Sequence, residues 1–341
     1  MEITNRTSIT CGEENIDSLR KRYGGLHFVV GDTHGEYHTL KLLLKKIRFD
    51  ERKDHVYFVG DYNSGGDPHM LLRILSGHYS ADCSVPGFHL IRGNHERECS
   101  PVYRLENLPD VFVVRGNALT YYIAHAGMIS SVFDAICADI SSQPDRKVFA
   151  YRLAEHTTGY DAPFREIVWS LFGLYSQKIR QAARSGNRPS SYKSRRAVWP
   201  SEETLLERHA CIIHGHTPYS FFFEKGKPGY GDRNLFWTNQ HIWFSEDLQA
   251  FDIDSDVKGR NAGGETYRGL SCLCLEALEE NAAQNGGRLT VEGLRRGENV
   301  AFSAPYTPKL SFAFGNADAI LKAAPEMKTI TTDADGNVVI L

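Results

Sequence analysis

Five short apolar runs punctuate the first two thirds of the chain, and each stops abruptly in polar residues. They are LHFVVGDTHG (26–35), HVYFVGDYNSGG (55–66), GFHLIRGNHE (87–96), LTYYIAHAG (119–127) and HACIIHGHTP (209–218). Each is strand-length and rich in β-branched and aromatic residues, which predicts five buried strands. Between the first two, Leu40, Leu43, Leu44 and Ile47 recur at i, i+3, i+4 and i+7, the stripe of an amphipathic helix. Between the second and third, Asp67 suits an N-cap, Pro68 the first helical position and Gly77 the stop. Strand, helix, strand, helix predicts crossover units with parallel strands. In such sheets, ligand-binding residues lie just past the carboxyl ends of the strands, where each polar cluster falls.

The later chain reads differently. YSFFFE, NLFWTNQHIWF, LQAFDID and GLSCLCLEAL suggest neighbouring strands, with Cys272 and Cys274 on one buried face. TVEGLRRGENVAF and DADGNVVIL suggest short strands around turns, and ADAILKAAPEM a short helix. Residues 167–201 hold seven Lys/Arg and no Asp/Glu, around a loop-like SGNRPSSYKS.

Composition narrows the class without changing this layout. At 41% hydrophobic and 24% charged residues, the chain is an ordinary globular one. A net charge of -3 gives no reason to expect nucleic acid or a membrane surface as partner. The seven cysteines are scattered without a CxxC pair, which predicts reduced thiols in a cytoplasm. The polar start MEITNRTSIT lacks the pattern of a signal peptide, and no apolar run approaches a membrane span.

The strand ends collect Asp32, His34, Asp61, Asn94, His95, His125 and His216, with glycine beside each cluster. One His after a strand is usually structural; five consecutive ends carrying Asp, His or Asn are hard to assign to turns. Carboxylate, amide oxygen and imidazole together are the ligands of borderline divalent cations, and the missing cysteine argues against structural zinc. Asp61, central in the set, could bridge two ions that share and activate a water.

GDTHG, GD with a small-residue loop, RGNHE, HAG and GHTP resemble, in order, the five motifs of the calcineurin-like metallophosphoesterases. The phosphoprotein phosphatase branch, which includes Ser/Thr phosphatases, lambda phosphatase and symmetrical diadenosine tetraphosphate hydrolases, is the most similar. Pro218 stands where broader phosphoesterases often carry a second metal-binding His, which favours that branch. The resemblance covers about 26–278 and implies an α/β fold, a two-sheet β-sandwich flanked by helices. It implies a catalytic domain over 1–280 with a basic insertion at about 167–201, and an extension of open role over 281–341.

By the resemblance, Asp32 and His34 would hold a first metal, Asp61 would bridge, and Asn94, His125 and His216 would complete a second. His95 would be the general acid. Arg92 would either touch phosphate or brace its loop. His214 reads as a strand residue, and Glu96 and Asp67 as structural. The expected ions are two divalent cations, manganese first, with iron or zinc as alternatives. The expected activity is hydrolysis of phosphate monoesters on a phosphorylated protein or small molecule. Alternatives are a dinucleoside polyphosphate hydrolase or a metal-binding protein impaired in turnover.

One departure stands out. The family pattern Gly-Asp-X-Val-Asp-Arg-Gly reads here Gly60-Asp61-Tyr62-Asn63-Ser64-Gly65-Gly66, so Ser64 and Gly65 replace the His-orienting Asp and the phosphate-gripping Arg. Leu171 also stands where some branches carry an Arg after Trp-Ser. Losing one charge-assisted contact costs roughly 1.5–3 kcal/mol, which leaves a working hydrolase with an unusual phosphate grip. Arg188, Arg195 or Arg196 of the basic stretch is the expected substitute.

Overall fold

In the computed structural model, the described residues are 13–62, 78–93, 95–96, 108–153, 200–216, 241–255, 257, 269–306, 326–332 and 338–341, with short strands at 223–224, 227–228 and 234–237. Two sheets lie face to face. The strands of the first are β1 (His27–Val30), β2 (His55–Phe58), β3 (Gly87–Leu90), β13 (Gly269–Cys274) and β14 (Ala301–Pro305), in the order β14-β13-β1-β2-β3. The second runs β10 (Asn234–Trp237), β11 (Ile242–Ser245), β12 (Ala250–Asp252), β7 (Ala210–His214), β5 (Thr120–Ala124), β4 (Val111–Arg115), β6 (Val148–Leu153), β15 (Lys328–Thr332) and β16 (Val338–Ile340). β8 (Phe223–Glu224) and β9 (Lys227–Pro228) form a separate two-stranded pair.

The five apolar runs all become strands. β1, β2 and β3 are mutually parallel, as are β5 and β7. The first helix stripe also forms: α2 (Tyr37–Lys46) follows α1 (Glu13–Tyr23) and buries Leu40 and Leu43. The helix expected after Asp67 lies outside the described residues.

Alternation along the second sheet explains the layers. On β4, Phe112 and Val114 enter the core shared with the first sheet, while Val111 and Val113 enter a second core on the opposite face. On β7, Cys211 and Ile213 split from Ala210 and Ile212 in the same way. The second core is closed by α3 (Ser130–Ser141), through Phe133 and Ile136, and by α4 (Glu202–Glu207), through Leu205. α1, α2, α5 (Leu275–Gln284) and α6 (Val291–Arg296) cover the first sheet. The order of layers is therefore helix, sheet, sheet, helix.

Two readings of the later sequence are corrected. GLSCLCLEAL is strand only to Cys274, where α5 begins; Cys272 and Cys274 are both buried on β13. TVEGLRRG is helix, not strand. Thr290 caps α6 by accepting from the Gly293 N–H at 3.0 Å, Glu292 sits in the first turn and Arg295 and Arg296 in the last. The described parts of 281–341 build onto both sheets: β14 pairs with β13, and β15 runs parallel to β6. The ADAILKAAPEM helix lies almost wholly outside the described residues.

Among the described residues no helix is long and apolar enough to cross a membrane.

Candidate metal centre

The segments leaving β1, β2, β3, β5 and β7 at their carboxyl ends come together where the two sheets meet. The ends are stitched to one another through the backbone. The His34 N–H donates to the Asp61 carbonyl at 2.8 Å, and the Gly215 N–H to the His125 carbonyl at 2.8 Å. Side chains add crossed ties. Asp32 accepts from the His216 N–H, at 3.2 Å on Oδ1 and 3.0 Å on Oδ2, and Asp61 Oδ1 accepts from the His95 N–H at 3.0 Å.

Close approach depends on missing side chains. A Cβ on Gly215 would lie 1.8 Å from Asp32 Oδ1, and one on Gly93 would lie 2.3 Å from Asp61 Oδ1. His34, Asp61 and His216 take left-handed backbone angles, with φ of 45°, 55° and 69°. Such conformations cost of order 1–3 kcal/mol each and persist where the surroundings over-determine them.

Two donor sets result. Asp61, His125 and His216 form one, and Asp32, His34 and Asp254 the other, with ligand atoms in each lying within 4.8 Å of one another. His125 shows how its ring is prepared. Its Nδ1 lies 2.7 Å from the Val59 carbonyl, which can only accept, so the neutral ring carries its proton there. Nε2 is then the lone-pair nitrogen, 3.4 Å from Asp61 Oδ1. Burial lowers the His125 pKa to about 3, with His95 adding to it, so the ring is neutral at pH 7. Burial raises the Asp32 carboxyl, reinforced first by Asp254 and then by Asp61. Buried carboxylates crowded with lone-pair imidazoles are costly unless a cation joins them. The donor chemistry fits a pair of divalent ions.

His95 lies beside this set, its Nε2 3.7 Å from Asp61 Oδ2 and its side chain 21% exposed. Arg92 is 2% exposed and sends Nε and one Nη to Asp110 at 2.8 and 2.6 Å. Asp110 also accepts from the Leu153 N–H at 2.7 Å, so the pair ties the β3 end to β6. Of the two roles expected for Arg92, bracing is the one this geometry serves. His214 is a buried residue at the end of β7, its pKa lowered by burial to about 3.

Asn94, Ser64, Gly65, Leu171, Asp67, Arg188, Arg195 and Arg196 lie outside the described residues.

Two residues exceed what the motifs suggested. Glu96 is 1% exposed and its carboxylate accepts from three N–H groups: Asp61 at 2.7 Å, Tyr62 at 2.7 Å and Gly93 at 2.8 Å. It therefore clamps the GD loop to the RGNHE loop. Burial, then Asp61, raises its pKa to about 8 against the pull of those donors. Asp254 was read only as part of a closing strand. The available signal was an Asp just past the end of a strand-like stretch, AFDI, as Asp32 follows FVVG and Asp61 follows FVG.

A family model described as calcineurin-like phosphoesterase matches residues 28–235, from β1 into β10. The chain belongs to the calcineurin-like phosphoesterase family. A curated relative from Cellvibrio japonicus (strain Ueda107), a symmetrical bis(5'-nucleosyl)-tetraphosphatase, is 39% identical over 77 residues. The match takes in 22% of this chain, which spans about a quarter of the relative's length, 26%. A solved structure of a serine/threonine phosphatase from Saccharomyces cerevisiae, with similarity to human phosphatase PP5, overlaps 88% of this chain and 89% of its own at 16% identity and TM-score 0.41. A cold-active protein tyrosine phosphatase overlaps 73% of each chain at 17% identity and TM-score 0.31. Calcineurin-like phosphoesterases typically work with two metal ions, in keeping with the two donor sets.

Proposed function

We propose that this calcineurin-like phosphoesterase is a two-metal phosphatase that hydrolyses phosphate monoesters. One observation carries the reading: two donor sets at neighbouring strand ends, buried but for the partly exposed His216, with the Asp61 carboxylate also against His95. Asp32 and His34 would hold one ion, His125 and His216 the other, with Asn94 as a further ligand of the second and Asp61 shared. When bound, such ions lower the pKa of a shared water and offset phosphate charge. The chain's own groups supply the rest. The Val59 carbonyl keeps the His125 proton on Nδ1 and its lone pair toward the ligand set. Glu96 fixes the two loops that carry Asp61 and His95. His95, held through its N–H by Asp61, can hand a proton to the leaving oxygen at neutral pH. Arg92 braces that loop from behind, through Asp110. Arg188, Arg195 or Arg196 would take the phosphate grip that Gly65 cannot give.

Manganese is the favoured ion and the cytoplasm the favoured compartment. A phosphorylated protein or a small phosphate ester is the substrate class. A second reading, a dinucleoside polyphosphate hydrolase, draws on the 77-residue match to the Cellvibrio japonicus enzyme. The test is phosphate release from p-nitrophenyl phosphate, phosphopeptides and diadenosine tetraphosphate, before and after chelation and on adding manganese. Chelation should abolish turnover and manganese restore it, with the monoesters preferred. Full turnover after exhaustive chelation rejects the reading, and turnover of the dinucleotide alone selects the second.

A further inference from the structure

β12 lies parallel to β7 in the second sheet, so its carboxyl end lies beside the end of β7 that leads to His216. The chain leaving β12 is pressed against the end of β1. The Ile253 N–H donates to the His214 carbonyl at 2.9 Å, and a Cβ on Gly31 would lie 2.1 Å from the Ile253 carbonyl oxygen. The Asp254 N–H is held by Asp252 Oδ1 at 3.0 Å. This anchoring delivers Asp254, 1% exposed, to Asp32 and His34, whose ligand atoms lie within 4.8 Å of its own. A water-excluded pocket that sets an imidazole among these carboxylates is built for a cation.

We infer that Asp254 is a protein ligand of the first metal ion, alongside Asp32 and His34. The inference rests on the two-metal reading and deepens it. It makes the two positions chemically unequal. The first gathers carboxylate oxygens from Asp32, Asp254 and the shared Asp61 around one imidazole. The second has Asp61 with two imidazoles, to which the expected Asn94 would add one amide oxygen. Oxygen-rich sites suit manganese or magnesium, and imidazole-rich sites suit zinc or iron. The protein therefore selects a mixed pair in which the first ion is the harder one.

Metal binding tests this without using turnover. Chelated wild-type protein and Asp254→Asn are titrated with manganese by calorimetry, and metal content is measured after desalting. Wild type should take up two equivalents. The variant should retain one, or bind the weaker ion at least about tenfold less tightly. Thermal unfolding adds a sign test. Without metal, Asp254→Asn should melt at or above wild type, because one of the crowded carboxylates is gone; with manganese it should melt below. Two equivalents at unchanged affinity in Asp254→Asn overturn the inference while leaving the two-metal reading intact. Failure of wild type to bind any divalent ion overturns both. Should Asp254→Asn not fold, Asp254→Ala and mixed loading of wild type decide. Equal manganese and zinc should give one of each per chain, and two zinc ions would overturn the assignment.

Discussion

Lowering the pH from 7 to 5 should destabilise the metal-free protein through two rings, His55 and His89, remote from the metal centre. His27 and His55 open β1 and β2, at the edge opposite the ligands, and stack with centroids 4.5 Å apart. His55 stacks in turn on His89 of β3, with Nδ1 2.9 Å from His89 Nε2, and His89 Nδ1 lies 3.2 Å from the Ser80 carbonyl. Because the carbonyl only accepts, His89 carries its proton on Nδ1 and takes the His55 proton on Nε2. Burial lowers His55 to about 3, with His27 and His89 contributing. Burial lowers His89 to about 4, with the Ser80 carbonyl and Asp82 opposing. Both values lie below the unfolded 6.5, so the unfolded chain binds protons first. Stability is complete above pH 6.5 and drains as the pH falls toward 4. His55 and His89 should each remove about 1–2 kcal/mol between pH 7 and 5. The assay is urea unfolding of chelated protein, followed by tryptophan fluorescence, for wild type and His55→Phe. Phenylalanine keeps the stack but loses one hydrogen bond, so the variant should be about 1 kcal/mol weaker at pH 7. It should then lose about 1–2 kcal/mol less on acidification, so that the two proteins meet or cross near pH 5. Parallel pH profiles for the two proteins would refute the reasoning.

Other outcomes follow from the same geometry. Arg92→Ala strands Asp110 in the interior and should cost about 3–5 kcal/mol in urea unfolding, whereas the pair Arg92→Met with Asp110→Leu should recover much of it. Gly215→Ala places a methyl against Asp32 and should lower manganese content after desalting while leaving the far-ultraviolet circular dichroism unchanged. His95→Asn should slow alkyl phosphates more than p-nitrophenyl phosphate, with metal content intact; an equal defect on both removes it as the acid. Ser64→Asp with Gly65→Arg should raise monoester turnover about tenfold if nothing replaces the missing pair, and leave it flat or lower if Arg188, Arg195 or Arg196 already does.

The strands that carry the expected ligands were legible because each is a short, mainly apolar run cut off by glycine and a polar cluster. β4 and β6 were not singled out, because no chemistry marks their ends. That the runs divide between two sheets was legible only through the family resemblance. The division follows from pairing partners far away in sequence, such as Cys272 opposite Val30 and Tyr151 opposite Val111. α6 escaped because its six residues carry too short a stripe to show a period, although its caps were readable. Asp254 escaped for a different reason: its role depends on the loop after β12 resting on Gly31, a contact between residues more than 200 positions apart.

The parallel pairing of β15 with β6 has a consequence for how the chain is made. Tyr151 waits for Lys328, 177 positions later, before the outer side of β6 is covered. At ribosomal speeds of about 5–20 residues per second, that strand stays open for roughly 10–35 s of synthesis. An uncovered strand edge is a template for another nascent chain. Ribosome-associated chaperones should therefore hold longest to intermediates ending between residues 153 and 328, and release them once Lys328–Thr332 has emerged and β6 is no longer an edge.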